Sequence, residues 1–279
     1  PHFMKEIYHY TNGERATALW YHDHALGVTR LNVYAGLAGL YFIRDEQERS
    51  LSLPKGKYEV PLIIQDKTFN PDGSLFYPAQ PDNPSPNLPY PSIVPSFLGD
   101  TITVNGKVWP FLKVEPRKYR FRLLNASNTR TYQFQLSNLR PFALIGTDGG
   151  LLSRPIKVKS LDVSPGERSD IVIDFSGLEG KKVILQDGFE SENPTGEIME
   201  FQVTKFLSCP DQSRLPSLLS HIDRIPLNKV KKIRRLTLND SQDEFGRLML
   251  LFVDKEWMDP ATETPLLNSV EIWQLVNLT

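Results

Sequence analysis

The sequence predicts an all-β protein made of β-sandwich or barrel domains, and two observations support this prediction. Short segments rich in branched and aromatic residues recur at regular spacing, and several alternate apolar with polar or basic residues. Turn sequences such as Asn105-Gly106, Gly149-Gly150 and Pro165-Gly166 separate these segments. Many short strands joined by such turns are typical of sandwiches and barrels.

The first part of the chain contains three predicted strands. Asn12-Gly13 is a strong hairpin signal, so the first two strands are expected to pair with each other. Residues 25–36 have mixed character and are interpreted as a connector. The charged segment Asp45 to Ser52 indicates a domain boundary. The predicted strands of this part are Met4–Tyr10, Thr17–His22 and Leu37–Arg44.

The middle of the chain is predicted to form one complete sandwich. Seven prolines lie between Pro78 and Pro95, and this segment is interpreted as a loop because proline donates no ladder hydrogen bond. The predicted strands are Tyr58–Gln65, Thr101–Val104, Val108–Val114, Lys118–Asn125, Thr131–Leu136, Phe142–Thr147, Lys157–Val163, Ser169–Phe175, Lys181–Gln186 and Met199–Thr204.

The last part of the chain begins with an interdomain linker, residues 206–232, which contains prolines and lacks periodicity. Three strands are predicted after it, and three strands alone do not make a stable domain. The expected organisation is therefore one complete domain, 46–205, between two partial ones, 1–45 and 233–279. The predicted strands are Ile233–Leu238, Leu248–Asp254 and Val270–Val276.

Composition narrows the function classes. The chain has 279 residues, enough for two ordinary domains, and 40% of them are hydrophobic. Its net charge of −1, from 32 basic and 33 acidic residues, argues against a nucleic-acid partner or an acidic membrane. Cys209 is the single cysteine, so no internal disulfide is expected. No apolar run approaches the roughly 18 residues of a membrane helix.

One short motif carries candidate chemistry. His22 and His24 stand one residue apart at the end of a predicted strand, where alternate side chains share a face and Asp23 points the other way. Two strand steps separate their backbones by about 6.6 Å, which suits two neighbouring metal ions better than one. Neutral imidazole is a common ligand of copper and zinc.

The bland interpretation is that this pair arose by chance. Two ligands do not complete a site, since zinc sites take about three or four protein ligands. The other histidines, His2, His9 and His221, form no second cluster in the sequence. Spacing alone therefore predicts half of a metal site.

Longer motifs then give a resemblance that covers essentially the whole chain. Leu19-Trp20-Tyr21-His22-Asp23-His24 and the segment from Thr29 to Leu37 resemble bacterial multicopper oxidases, in particular the spore-coat laccases of the Bacillus type, which also oxidise bilirubin. Further resembling segments are Val104–Pro110, Val114–Arg122, Asn125–Tyr132, Asp148–Leu152, Pro165–Arg168, Gln242–Arg247 and Glu271–Trp273.

The resemblance implies cupredoxin-like Greek-key β-sandwich domains and a copper-dependent oxidoreductase. The family oxidises phenolic and aromatic donors one electron at a time at a mononuclear copper and reduces dioxygen to water at a trinuclear copper cluster. By position, His22 and His24 correspond to two ligands of the coupled type 3 copper pair. The resemblance also implies the spore coat or the cytoplasm as the location.

Departures from the family pattern limit this interpretation. The family's other histidine motifs have no counterpart in the sequence, and Cys209 lies in the linker, away from the place of the family's copper-binding cysteine. We therefore expect an internal fragment that is inactive alone, with the missing segments either cut away or supplied as separate chains. The alternative is a non-catalytic cupredoxin-like structural or binding protein that has lost its copper sites.

Overall fold

The computed structural model describes residues 7–190 and 193–279, and its secondary structure confirms the all-β prediction. Two short α-helices occur in this part of the chain, α1 Thr29–Tyr34 and α2 Glu46–Ser50. The strands are β1 Thr17–His22, β2 Ala38–Ile43, β3 Glu59–Phe69, β4 Leu75–Phe76, β5 Thr101–Val104, β6 Lys107–Val108, β7 Phe111–Val114, β8 Lys118–Asn125, β9 Tyr132–Leu136, β10 Phe142–Thr147, β11 Gly150–Val158, β12 Ser160–Val163, β13 Arg168–Asp174, β14 Lys182–Asp187, β15 Glu197–Val203, β16 Val230–Gln242, β17 Leu248–Phe252 and β18 Val270–Asn277.

The described residues fall into two compact units. The first unit takes in residues up to 77 together with 96–222, and the second takes in 78–95 together with 223–279. This division is one of compactness. The predicted boundaries at 45, 205 and 232 come from the sequence and its resemblance, and they stay a prediction.

The first unit is built around a sandwich of two sheets. The larger sheet has the order β11-β10-β13-β8-β3-β5-β6, with β4 paired to β3, and the smaller has the order β12-β9-β14-β15-β7. Neighbours in these sheets are often distant in sequence, and β3 pairs with β8 in parallel. One continuous apolar core, including Phe121, Phe134, Phe175 and Phe201, lies between the two sheets.

The central strand β8 shows how its sequence produces burial on both faces. Tyr119, Phe121 and Leu123 alternate along it and belong to the apolar core. Arg120 and Arg122 point to the opposite face, yet they are only 1% and 2% exposed. An alternation of basic and apolar residues is typical of a half-buried strand, but both faces of β8 are buried because carboxylates cover the basic face. A buried charge is tolerated when it is paired and hydrogen-bonded.

The carboxylates that cover this basic face come from three elements. Glu48 of α2 lies 2.7 Å from Arg120 and 2.8 Å from Arg122, measured between Oε1 and the guanidinium nitrogens. Asp170 of β13 lies 2.6 Å from Arg120. Glu59 of β3 accepts from Arg122 at 2.9 Å. Together with Arg44, which follows β2, these side chains fasten α2 to the sandwich.

The strand predicted in residues 7–10 and its hairpin with β1 were wrong. Residues 7–16 contain no strand, and β1 pairs with β2 instead of forming the hairpin predicted with Met4–Tyr10, of which residues 4–6 lie outside the described part. Residues 7–15 are exposed, so a strand there would bury no apolar face. The connector 25–36 contains α1, and the boundary segment after Asp45 contains α2.

Two predicted strands are each divided between the sheets. The predicted strand Val108 to Val114 contains the last residue of β6, which belongs to the larger sheet, and all of β7, which belongs to the smaller sheet. Lys157 to Val163 is broken at Lys159, where the chain passes from β11 to β12. A strand that changes sheets keeps its apolar composition across the break, so composition alone shows one strand.

The second unit contains one three-stranded sheet. Its central strand β16 pairs with β17 in antiparallel and with β18 in parallel. The proline-rich segment 78–95 forms no regular strand, as predicted, and is grouped with this sheet. No helix in the described part of the chain is long and apolar enough to span a membrane.

Candidate metal centre

The candidate site lies at the end of β1. This strand pairs along its whole length with β2, from Thr17 opposite Ile43 to His22 opposite Ala38. β1 ends at His22, so His24 stands just beyond the ladder instead of within it. The structure nevertheless brings the two imidazoles together, with ring centroids 5.6 Å apart and planes 33° apart.

The hydrogen bond of His22 fixes which ring nitrogen carries its proton. Nδ1 lies 2.7 Å from the main-chain oxygen of Asp23. A carbonyl oxygen only accepts, so Nδ1 is the donor, and in the neutral ring the lone pair is then on Nε2. A ligating histidine commonly donates its other N–H to a carbonyl in this way. Nε2 is therefore the ring nitrogen of His22 whose lone pair is available to a cation.

Asp23 turns away from the histidines and closes the turn that follows β1. Its Oδ1 accepts from the N–H of Ala25 at 3.1 Å, and its Oδ2 accepts from the side-chain amide of Asn32 at 3.0 Å. Asn32 belongs to α1, so this carboxylate connects the histidine segment to the helix.

The helix α1 is in turn fixed to the sandwich at its C-terminal end. Gln65 of β3 donates its side-chain amide to the Val33 carbonyl at 2.7 Å, and the Lys67 ammonium donates to the Tyr34 carbonyl. Both side chains satisfy carbonyls that a helix end leaves without intrahelical partners. Lys67 is buried, and burial lowers its pKa, which the nearby Asp66 partly opposes. These contacts form a hydrogen-bonded connection from β3 to Asp23.

Trp20 supports the ring of His22. The two side chains share one face of β1, and their rings stack with centroids 4.1 Å apart and planes 26° apart. The indole also lies against Gly166, where an added Cβ would sit 3.3 Å from Cζ2. The main chain of Gly166 has φ +80°, which also favours glycine. The Trp20 side chain thus packs against the turn Pro165-Gly166.

Two turns of the sandwich hold the beginning of β1. The Arg168 Nε donates to the Ala18 carbonyl at 3.1 Å, and the Thr17 hydroxyl donates to the Asp148 carbonyl at 3.0 Å. Gly150 lets the chains approach closely, because an added Cβ there would lie 2.6 Å from the Ala16 oxygen. The segments Asp148–Gly150 and Gly166–Arg168 therefore reverse the chain and also hold the beginning of β1.

Asp45 holds the residue that precedes β1. Its two carboxylate oxygens accept from the N–H groups of Ala16 and Glu48 at 2.9 Å and 2.7 Å, so it also caps α2. Burial raises the pKa of Asp45, but the two N–H donors outweigh this effect, and the net pKa is lowered. The start of β1 is thereby linked to the buried ionic face of the sandwich.

In the part of the chain that the structure describes, no third ligand joins the histidine pair. Within residues 7–190 and 193–279, no group of three or more His, Cys, Asp or Glu side chains could hold a metal ion. His2 lies outside the described residues, and neither His9 nor His221 joins the pair in such a group. The donors present fit copper in type, as two imidazoles of a larger ligand set. Their assignment as ligands stays a prediction.

Sequence reasoning found the histidines but missed the residues that surround them. Asp148 and the Pro165–Arg168 segment were interpreted only as turns and as parts of the resemblance. The signals available were glycines 150 and 166, which mark close approaches of the main chain, but nothing in the sequence names the partner strand.

Comparison with known proteins gives consistent results. The family described as "Multicopper oxidase" matches residues 76–195. The laccase of Bacillus subtilis (strain 168) is 53% identical over all of this chain, which covers 55% of that protein. The multicopper oxidase LPR1 of Arabidopsis thaliana is 36% identical over all of this chain, which covers 49% of it. The chain therefore spans about half the length of the curated relatives that it matches.

Solved structures agree with the sequence relatives. The multicopper oxidase of Pediococcus acidilactici superposes with a TM-score of 0.79 at 28% identity, over 95% of this chain and 52% of that one. McoA of the hyperthermophile Aquifex aeolicus gives 0.76 at 33% identity, over 95% and 59%. These neighbours share the cupredoxin-like architecture, which confirms the predicted fold class. Along its whole length the chain is therefore similar to multicopper oxidases.

Proposed function

We propose that this chain is part of a laccase-like multicopper oxidase, which oxidises phenolic or other aromatic donors and reduces dioxygen to water. Its 53% identity with a laccase along the full chain is the observation that carries the proposal. The similarity to multicopper oxidases implies copper as the cofactor. The substrates would be a small aromatic electron donor and dioxygen.

Within that function, we propose that His22 and His24 each bind one copper of a type 3 pair. Copper bound there would supply the redox chemistry that reduces dioxygen to water. The stack on Trp20 would hold the ring plane of His22, and the Asp23 carbonyl would keep its proton on Nδ1. Asp23 and Asn32 would fix the turn that carries His24.

The isolated 279-residue chain should bind copper weakly. Two imidazoles define neither a trinuclear cluster nor a mononuclear site, since affinity depends on ligand count and a fixed surrounding shell. Metal analysis after desalting should find well below one copper per chain, with no intense blue absorption. Material that is blue and stoichiometrically loaded would contradict this expectation.

The proposed activity is tested on the protein as its gene encodes it, loaded with copper. His22→Ala and His24→Ala should each lower the copper content and abolish dioxygen consumption with a phenolic donor. His9→Ala is the matched control and should change neither. If the gene-encoded protein binds no copper, the alternative of a non-catalytic cupredoxin-like binding or structural protein is correct.

A further inference from the structure

We propose that Asp148 and Arg168 are positioning residues for the histidine pair. Both belong to the sandwich, and together they fix β1 by binding atoms at its beginning. This role rests on the proposed function, because positioning has a purpose only if His22 and His24 bind copper. Two turns that contain no catalytic side chain would then hold the copper ligands in position.

Arg168 is arranged to hold the main chain of β1. Its Nε donates to the Ala18 carbonyl at 3.1 Å, and its Nη1 donates to the Gly166 carbonyl at 2.9 Å. One planar guanidinium thus connects β1 to the turn on which Trp20 is seated. The Arg168 side chain is 15% exposed, so water competes little for these donors.

Asp148 orients that guanidinium and adds a second attachment. Its Oδ1 lies 3.2 Å from Arg168 Nη1 and also accepts from the Arg168 N–H at 2.7 Å. Its main-chain oxygen accepts from the Thr17 hydroxyl. Asp148 and Arg168 therefore bind two successive residues of β1, and the ion pair between them keeps both attachments in register.

The distance from these attachments to the histidine is short. Four strand steps separate Ala18 from His22, about 13 Å in an extended chain. Trp20 lies midway and contacts both Gly166 and the ring of His22. A shift of β1 relative to the sandwich would therefore move the imidazole and break its stack.

The contacts of the Arg168 side chain stabilise the position of β1 more than they stabilise the sandwich. β13, which begins at Arg168, pairs along its length with β8, from Arg168 opposite Leu124 to Asp174 opposite Lys118. That ladder uses main-chain atoms and does not need the guanidinium. Loss of the Arg168 side chain should therefore loosen β1 while the ladder between β8 and β13 stays intact.

The test compares the copper-loaded, gene-encoded protein with Arg168→Gln, Asp148→Asn and Thr17→Val. Hydrogen exchange of the β1 amides should be roughly 10-fold faster in Arg168→Gln, as expected for loss of one charged hydrogen bond, with β8 unchanged. Competition with a chelator should show copper affinity lower by roughly 10-fold, the size seen when groups that orient a metal ligand are removed. Thr17→Val should show the same changes, but smaller.

Kinetics distinguish positioning from a general loss of stability. For Arg168→Gln, kcat should fall while KM for the donor stays constant, because the contacts that the substitution removes hold β1 and the Gly166 turn. Arg154→Gln, at an exposed position of β11, is the matched control and should change none of these quantities. Asp148→Asn guards against a folding failure, since it keeps the shape of the side chain and removes its charge.

Two results would overturn the proposal. Unchanged β1 exchange in both Arg168→Gln and Asp148→Asn would show that the attachment does not hold β1. Faster β1 exchange with unchanged copper affinity would show that holding β1 does not position the ligands. A wild-type protein without copper would instead refute the proposed function, while the exchange measurement would still report whether Arg168 holds β1.

Discussion

Gly166 has no side chain at the point where the Trp20 indole lies against the sandwich. Alanine at this position would place a Cβ 3.3 Å from the indole and would have to adopt φ +80°. The left-handed conformation alone costs a residue with a Cβ about 1–2 kcal/mol. Gly166→Ala should therefore lower the free energy of unfolding by more than this amount, as measured by urea titration.

The matched control is Gly180→Ala. Gly180 has a similar φ of +73°, but an added Cβ there meets nothing within 4 Å. The difference between the two variants isolates the contact with Trp20. Equal destabilisation by both would show that the indole moves aside without cost.

For single residues, the sequence predicted the candidate ligands but not the residues that hold them in place. His22 and His24 are visible because their spacing alone places them together. The contact between Arg168 and Ala18 joins residues 150 positions apart, and no local pattern encodes it. Whether a glycine marks a turn or a seat for another side chain depends on that distant partner.

Helix α2 depends on one buried carboxylate. Glu48 is 2% exposed and contacts both Arg120 and Arg122 of β8. Removing one partner of a buried ion pair costs about 3–5 kcal/mol, because the remaining charges lose their compensation. Glu48→Gln should therefore lower the free energy of unfolding by an amount in this range, as measured by chemical denaturation.

Glu46 on the same helix provides the comparison. It is exposed, and an exposed charge away from such contacts usually changes stability by less than about 0.5 kcal/mol. Glu46→Gln should therefore unfold like the wild type. If Glu48→Gln also unfolded like the wild type, the ionic face of β8 would not depend on α2.

The two helices show why short elements escaped prediction. α1 has six residues, and no side chain caps its N-terminus. α2 has five residues and a charged sequence that suggested a domain boundary. Both are stabilised by partners on the sandwich, and a helix this short has little stability of its own.

The start of the linker is tied to the sandwich by charges that respond to acid. Glu115 accepts from Lys57 at 2.9 Å and from the Ser208 hydroxyl at 2.8 Å. Burial raises the pKa of Glu115, but Lys57 and Ser208 outweigh it and lower the pKa from 4.5 to about 2. The stability that this carboxylate contributes is complete above pH 4.5 and is lost as the pH falls towards 2.

The difference in unfolding free energy between the wild type and Glu115→Gln should therefore shrink with acid. Denaturant titrations at about pH 6 and about pH 2.5 measure it, and the larger difference is expected at the higher pH. Glu197→Gln, at an exposed position of β15, is the control and should show no such trend. A difference independent of pH would mean that the charge of Glu115 is not what holds the linker.

Most strands of the whole molecule could be predicted from the sequence, and β8 and β10 have the predicted bounds. Strand composition and turn signals are local properties of the sequence, so they can be recognised without knowledge of the fold. The partner of each strand could not be derived this way. β1 was assigned to a hairpin with the preceding segment, whereas its ladder partner β2 follows after a helix.

The attachment of β1 has a consequence for protein engineering. Asp148 and Arg168 bind two main-chain oxygens and one hydroxyl, and none of these belongs to residues 22–24. Residues 22–24 can therefore be replaced while the contacts that hold the beginning of β1 stay in place. Other donor groups, such as thiolate or carboxylate, could be installed there without redesigning the scaffold, and selection could vary the metal preference of the site while folding is preserved.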